Sequence, residues 1–118
     1  MEERRRFVRL STLVKVEYAV IGKSSEELSS STKNISLGGI CLFLDDMVDM
    51  GTILELKMFI AQESLPINAM GKVVWIEEFG LGEEDKRKHI EAGIEFIRIS
   101  DADRERLSQY IFKSLVKV

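Results

Sequence analysis

Arg4-Arg5-Arg6-Phe7-Val8-Arg9 near the start of the chain and Asn34-Ile35-Ser36-Leu37-Gly38-Gly39 further along hold its most chemically capable side chains. The planar donor fork of arginine matches phosphate oxygens and the Hoogsteen edge of guanine, and its flat face stacks on a base. Asn and Ser supply short hydrogen-bonding groups, while Gly removes the Cβ that would hold a ligand away from the backbone. United in space, these groups would make a receptor for a guanine nucleotide rather than a catalytic centre.

The elements that must bring them together follow from periodicity. Val14, Val16, Tyr18 and Val20 alternate with Lys15, Glu17 and Ala19, which predicts a first strand with one buried face. Gly22-Lys23-Ser24-Ser25 reads as a turn, and Glu26 to Lys33 as a more exposed second strand running into the Asn-Ser-Gly cluster. Ile40, Leu42 and Leu44 mark a third strand, Asp45 to Gly51 a loop, and Leu54, Leu56, Met58 and Ile60 a fourth strand. Pro66 stands at the entrance to a fifth strand through Ala69, Gly71, Val73 and Trp75, where its missing N–H does little harm. Phe79 to Lys88 reads as a charged loop and Ile90 to Ile99 as the sixth strand. Short strands separated by turn signals predict a mainly β fold, a small antiparallel barrel or sandwich.

After Ile99 the period changes. Ser100 is placed to cap a helix, with Asp103 three residues on and Asp101 in the first turn, where carboxylates suit the dipole. Leu107, Ile111 and Leu115, with Tyr110 alongside, form an apolar stripe expected to close one end of the barrel. The expected organisation is one domain over 1–118: a mobile basic segment at 1–10, the barrel at 12–99 and the helix at 101–116.

At 118 residues, with 45% hydrophobic and 31% charged residues, the chain has an ordinary globular balance. Its net charge of −3 argues against affinity for duplex DNA, so an anionic ligand must be drawn by a local field. Arg4, Arg5, Arg6 and Arg9 outnumber Glu2 and Glu3 and supply one. Cys41 is the only cysteine, which rules out an intrachain disulfide and predicts a reducing, cytoplasmic setting. No stretch reaches the ~20 apolar residues of a membrane span, and no apolar region follows the basic start, so membrane insertion is not expected. Asn34-Ile35-Ser36 matches the glycosylation sequon, an accident without a secretory signal.

An RxxxR element followed by (D/N)xSxxG, here Arg5 to Arg9 and Asn34 to Gly39, resembles the signature of the PilZ domain, a bacterial receptor for cyclic di-GMP. Gly71-Lys72-Val73-Val74-Trp75 is similar to that family's fifth strand, and Ala92-Gly93-Ile94-Glu95-Phe96 to its last. The resemblance runs from Arg4 into the C-terminal helix. It implies a six-stranded antiparallel PilZ-type β-barrel with a C-terminal α-helix, cyclic di-GMP as ligand, and no cofactor. The ligand-binding residues it implies are Arg5, Arg9, Asn34, Ser36 and Gly39, with Arg4 and Gly38 beside them; Arg6 and Trp75 are secondary candidates. In the family the arginines hold phosphates and guanine edges, and the Asn/Asp and Ser contact guanine. Asn34 in place of Asp stays within the pattern, although an amide donates as well as accepts. Ligand binding is expected to fold the basic segment across the barrel near Asn34 and Ser36. The signal would then pass to a protein partner or a homodimer, in control of motility, pili or exopolysaccharide.

Blander readings exist for each feature. The arginine run alone is a solvated tail or a non-specific nucleic-acid arm, and Trp75 alone is a core or barrel-rim residue. Cys41 reads as packed into a strand and His89 as solvated. Glu77, Glu78, Glu83, Glu84 and Asp85 form a charged loop with Lys86, Arg87 and Lys88. No Ser/His/Asp arrangement, Walker loop or metal-ligand spacing is present, so no enzyme is expected. Two alternatives to a nucleotide receptor remain: a PilZ-like adaptor that binds protein without nucleotide, and a barrel for single-stranded nucleic acid, which calls for aromatics along a basic groove.

Overall fold

In the computed structural model, which describes residues 7–22, 27–60, 64–80 and 88–116, the alternating segments are strands. β1 (Leu10–Ser11), β2 (Lys15–Val20), β3 (Leu28–Ile35), β4 (Gly39–Leu44), β5 (Ile53–Phe59), β6 (Ile67–Gly80) and β7 (Lys88–Ile99) precede α1 (Asp101–Leu115). Antiparallel pairing runs β3-β2-β5-β6-β7-β4, and β4 pairs back onto β3, so six strands close into a barrel. Closure pairs the edges that an open sheet would leave exposed. The two-residue β1 is an addition: it continues the line of β2 along β3, with Leu10 opposite Ile35 and Ser11 opposite Asn34.

The inward half of each alternation fills the interior. Val16, Tyr18, Leu42, Leu54, Leu56, Met58, Ile67, Val73 and Ile94 are buried together, and Leu107 and Ile111 of α1 join them over one end. Burial of each large apolar side chain contributes roughly 1.5–3 kcal/mol. Ser100 caps α1, its hydroxyl accepting from the Asp103 N–H at 3.1 Å. The apolar stripe stops a turn earlier than its sequence suggests: Leu107 and Ile111 are buried, whereas Leu115 is 48% exposed. No helix among the described residues is long and apolar enough to cross a membrane.

Thr32 is the buried polar residue that ties β1 and β2 to β3. Residues 12–14 leave the ladder between those strands. There the Thr32 hydroxyl accepts from the Val14 N–H at 3.0 Å and donates to the Thr12 carbonyl at 2.7 Å. Thr32→Val keeps the shape and strips the buried Val14 N–H of its acceptor. The expected loss is about 1–3 kcal/mol in urea denaturation, and an unchanged midpoint would show that water replaces the hydroxyl.

The predicted Phe79–Lys88 loop needs correction. β6 continues to Gly80 and β7 begins at Lys88, with Glu77 opposite Glu91, Glu78 opposite Ile90 and Phe79 opposite His89. Glu77, Glu78, Phe79 and Gly80 are all exposed. Residues 77–80 pair along the β7 backbone and bury no face of their own, so they carry no hydrophobic alternation to read. Glu83, Glu84 and Asp85 lie outside the described residues. β3 also runs later than expected, taking in Asn34 and Ile35.

Candidate functional site

β3 delivers Asn34, and the turn after Ile35 delivers Ser36, Gly38 and Gly39. Ser36 is engaged within that turn. Its N–H donates to the Gly39 carbonyl at 2.9 Å, and its hydroxyl accepts from the N–H groups of Gly38 (3.1 Å) and Gly39 (3.2 Å). The same hydroxyl donates to the Gly39 carbonyl at 3.3 Å. A hydroxyl has one donor and two acceptor positions, so Ser36 is fully used in holding the turn.

The two glycines are required for room, not for left-handed backbone. Among the described glycines positive φ belongs to Gly22 and Gly51. A Cβ on Gly39 would lie 2.0 Å from the Ile94 carbonyl oxygen, and one on Gly38 would lie 2.7 Å from the Phe7 ring.

Cross-strand register builds the rest of the wall. Asn34 stands opposite Cys41, Cys41 opposite Gly93, and Gly93 opposite Trp75. Paired residues share a face, so this row runs across the outside of the barrel. Val74 is the extra residue of a β-bulge, because Val73 pairs with Ile94 while Trp75 pairs with Gly93. The bulge turns Val73 into the core and Trp75 outward. The half-buried indole lies over Gly93, where a Cβ would come within 2.0 Å of Nε1.

These residues line one groove of about 1020 Å³ between the turn, β7 and the start of α1. That is the upper end of the size range for small-molecule sites, roughly 300–1,000 Å³. Arg9, Asn34, Ser36, Gly38, Gly39 and Trp75 all border it. Arg4, Arg5 and Arg6 lie outside the described residues. The side chains of Arg9 and Asn34 make no hydrogen bond or ion pair to another described residue.

Sequence reasoning missed Phe7, Arg98 and Arg104, which also line the groove. Arg9, Arg98 and Arg104 face a single carboxylate there, Glu95, so the groove is cationic in a chain of net negative charge. The Arg104 Nη1 donates to the Leu37 carbonyl at 3.3 Å, and its guanidinium lies 5.8 Å from the Phe7 ring centroid. One signal for Arg104 was present: it follows Asp103 near the helix start, where the dipole disfavours a cation. Arg98 had none, because a second bulge decides its place: Gly71 pairs with Phe96 but Met70 with Arg98.

Cys41 borders the groove yet is buried. Burial, then the charge of Glu91 and a hydrogen bond to its Oε1 (3.7 Å), push the thiol up to about 11, with Lys33 and Arg9 partly offsetting. The fold thus favours the neutral thiol. Its contribution to stability is present below the ordinary thiol value of 9.0 and fades as pH climbs through about 11. Alkylation by iodoacetamide at pH 8 is expected to run at least about tenfold slower than for free cysteine, with Glu91→Gln faster than wild type. A rate equal to that of free cysteine would contradict both burial and the carboxylate contact.

Comparison with known proteins sets this geometry in context. A family model described as PilZ domain matches residues 3–113. The search of curated proteins found no match. Among solved structures, the chain is similar to a Bacillus subtilis inhibitor of motility (MotI/DgrA), at 26% identity and TM-score 0.74, covering 98% of this chain and 54% of that one. It is similar to the PilZ domain with c-di-GMP of YcgR from Escherichia coli, at 17% identity and TM-score 0.72, covering 98% and 100%. It also resembles a MrkH–c-di-GMP complex of K. pneumonia, at 16% identity and TM-score 0.76, covering 98% and 54%. The chain therefore spans about half the length of the first and third of these.

Proposed function

The chain belongs to the PilZ domain family, and from that premise we propose that it is a receptor for cyclic di-GMP that reports its ligand to a partner and transforms nothing. The observation that carries this reading is the gathering of Arg9, Asn34, Gly38, Gly39 and Trp75 around one cationic groove. Two similar structures are complexes with c-di-GMP.

Each group has a role in that reading. Arg9, with Arg5 and Arg4 from the preceding segment, takes phosphates and guanine edges; Arg6 adds positive field. The Asn34 amide reads a base edge, and Gly39, packed directly on the Ile94 carbonyl, holds the turn against β7 at the groove. Ser36 contributes through the turn it holds. Trp75 offers an indole face for stacking, worth about 1–3 kcal/mol per base. Arg98 and Arg104 raise the local potential. Folding the arginine segment over the ligand is the conformational signal, passed to a protein partner or a second copy in a bacterial cytoplasm.

The magnitudes are compatible with such a switch. Ordering a few residues costs on the order of 1–2 kcal/mol each, and a bidentate arginine–guanine contact returns about 1–3 kcal/mol. Calorimetric titration with cyclic di-GMP, its linear dinucleotide, GTP and a short single-stranded oligonucleotide tests the reading. Heat with the cyclic dinucleotide and little with the others supports it. No heat with the cyclic compound, or a stronger response to the oligonucleotide, overturns it.

A further inference from the structure

We infer that Phe7, Gly38 and Arg104 form an anchor that positions Arg9 at the groove, with Arg104 acting as a positioning residue. The inference rests on the receptor reading and concerns how its site is held.

Three layers make the anchor. The Phe7 ring lies directly on the backbone of Gly38, so close that a Cβ there would stand 2.7 Å and 2.9 Å from two ring carbons. On the ring sits the Arg104 guanidinium, at 5.8 Å from the centroid. Arg104 also reaches the Leu37 carbonyl beside the same glycine, at 3.3 Å. The Gly38 carbonyl in turn accepts from the Phe96 N–H at 2.9 Å, which fixes this seat to β7.

The contacts explain two otherwise awkward choices. A cation near the N-terminus of α1 opposes the helix dipole, and here its favourable partner is an aromatic face. An aromatic in a basic run finds a place against a glycine built to receive it. Phe7 stands midway between Arg5 and Arg9 in the chain. Arg9 therefore lies between two fixed points, the seated ring and Leu10 paired with Ile35. Anchoring of this kind lowers the ordering cost of binding. Gly38, taken from the motif as a ligand contact, is thereby assigned to seating Phe7.

The test titrates cyclic di-GMP into the full chain carrying Phe7→Ala, Gly38→Ala, Arg104→Ala, Arg104→Lys or the Phe7→Ala/Arg104→Ala pair. Each variant is also melted and followed by hydrogen exchange over residues 8–10 without ligand. The three disruptive single variants are expected to bind roughly tenfold more weakly, with melting temperatures within about 2 °C of wild type. Arg104→Lys, which keeps a cation over the ring, should stay within about threefold of wild type, and the double variant should be no weaker than the weaker single. Wild-type affinity in Phe7→Ala and Gly38→Ala, or losses that add in the double variant, would overturn the anchor. Should wild type itself give no heat, the receptor reading fails, and exchange alone decides the anchor. Faster exchange at residues 8–10 in Phe7→Ala and Arg104→Ala supports it, and unchanged exchange overturns it.

Discussion

Arg9→Ala is expected to weaken cyclic di-GMP binding by about 10- to 100-fold while leaving the melting temperature of the free protein unchanged. The range corresponds to the ~1–3 kcal/mol of a bidentate guanidinium contact, at about 1.4 kcal/mol per factor of ten. The fold is spared because Arg9 is exposed and its side chain makes no hydrogen bond or ion pair with another described residue. Arg9→Lys should fall between, keeping the charge and losing the planar fork. Arg9→Glu should bind below detection, since it puts a second carboxylate beside Glu95 in the same groove. Wild-type affinity should also fall between 50 and 500 mM salt, as expected of exposed charges meeting an anion. Calorimetry on these variants reads all of this, and wild-type affinity in Arg9→Ala would remove the groove from consideration as the site.

Gly39→Ala is expected to produce the largest loss of stability. The added methyl would stand 2.0 Å from the Ile94 carbonyl oxygen, 3.1 Å from its carbon and 3.2 Å from the Glu95 Cα. All three are backbone atoms of β7, the strand to which Gly39 is paired opposite Glu95, so no side-chain rotation relieves the clash. Overpacking of this kind costs about 1–3 kcal/mol, and the upper end applies because a ladder must open. The melting temperature should drop on the order of 10 °C. Its neighbour provides the control. At Gly38 the obstructing atoms belong to the Phe7 ring, which swings away at little cost to the barrel. Two adjacent glycines thus separate fold from binding: Gly39→Ala lowers the melting temperature, and Gly38→Ala lowers affinity. Equal melting temperatures for the two variants would contradict the close approach of β4 to β7.

Much of the barrel could be read directly because burial leaves a local trace. Lys15–Val20, Gly39–Leu44 and Ile53–Phe59 each have one face in the core, and alternation records it. The Ser100 cap and the Leu107–Ile111 stripe are equally local. The hairpin beyond the barrel wall escaped because Glu77 to Gly80 are solvated, so the strand there exists only through its partner.

The motif residues and their family could be identified from side-chain type and spacing alone, as could the barrel class and the capped helix. Tertiary structure alone decided which outer residues are neighbours. Closure of β4 onto β3 and the bulge at Val74 set Asn34, Cys41, Gly93 and Trp75 in one row, and folding brought Arg98, Arg104 and Phe7 to its edge. The reason is that hydrophobic periodicity reports the inside of a barrel, whereas this groove lies outside it, where register and single-residue bulges determine proximity.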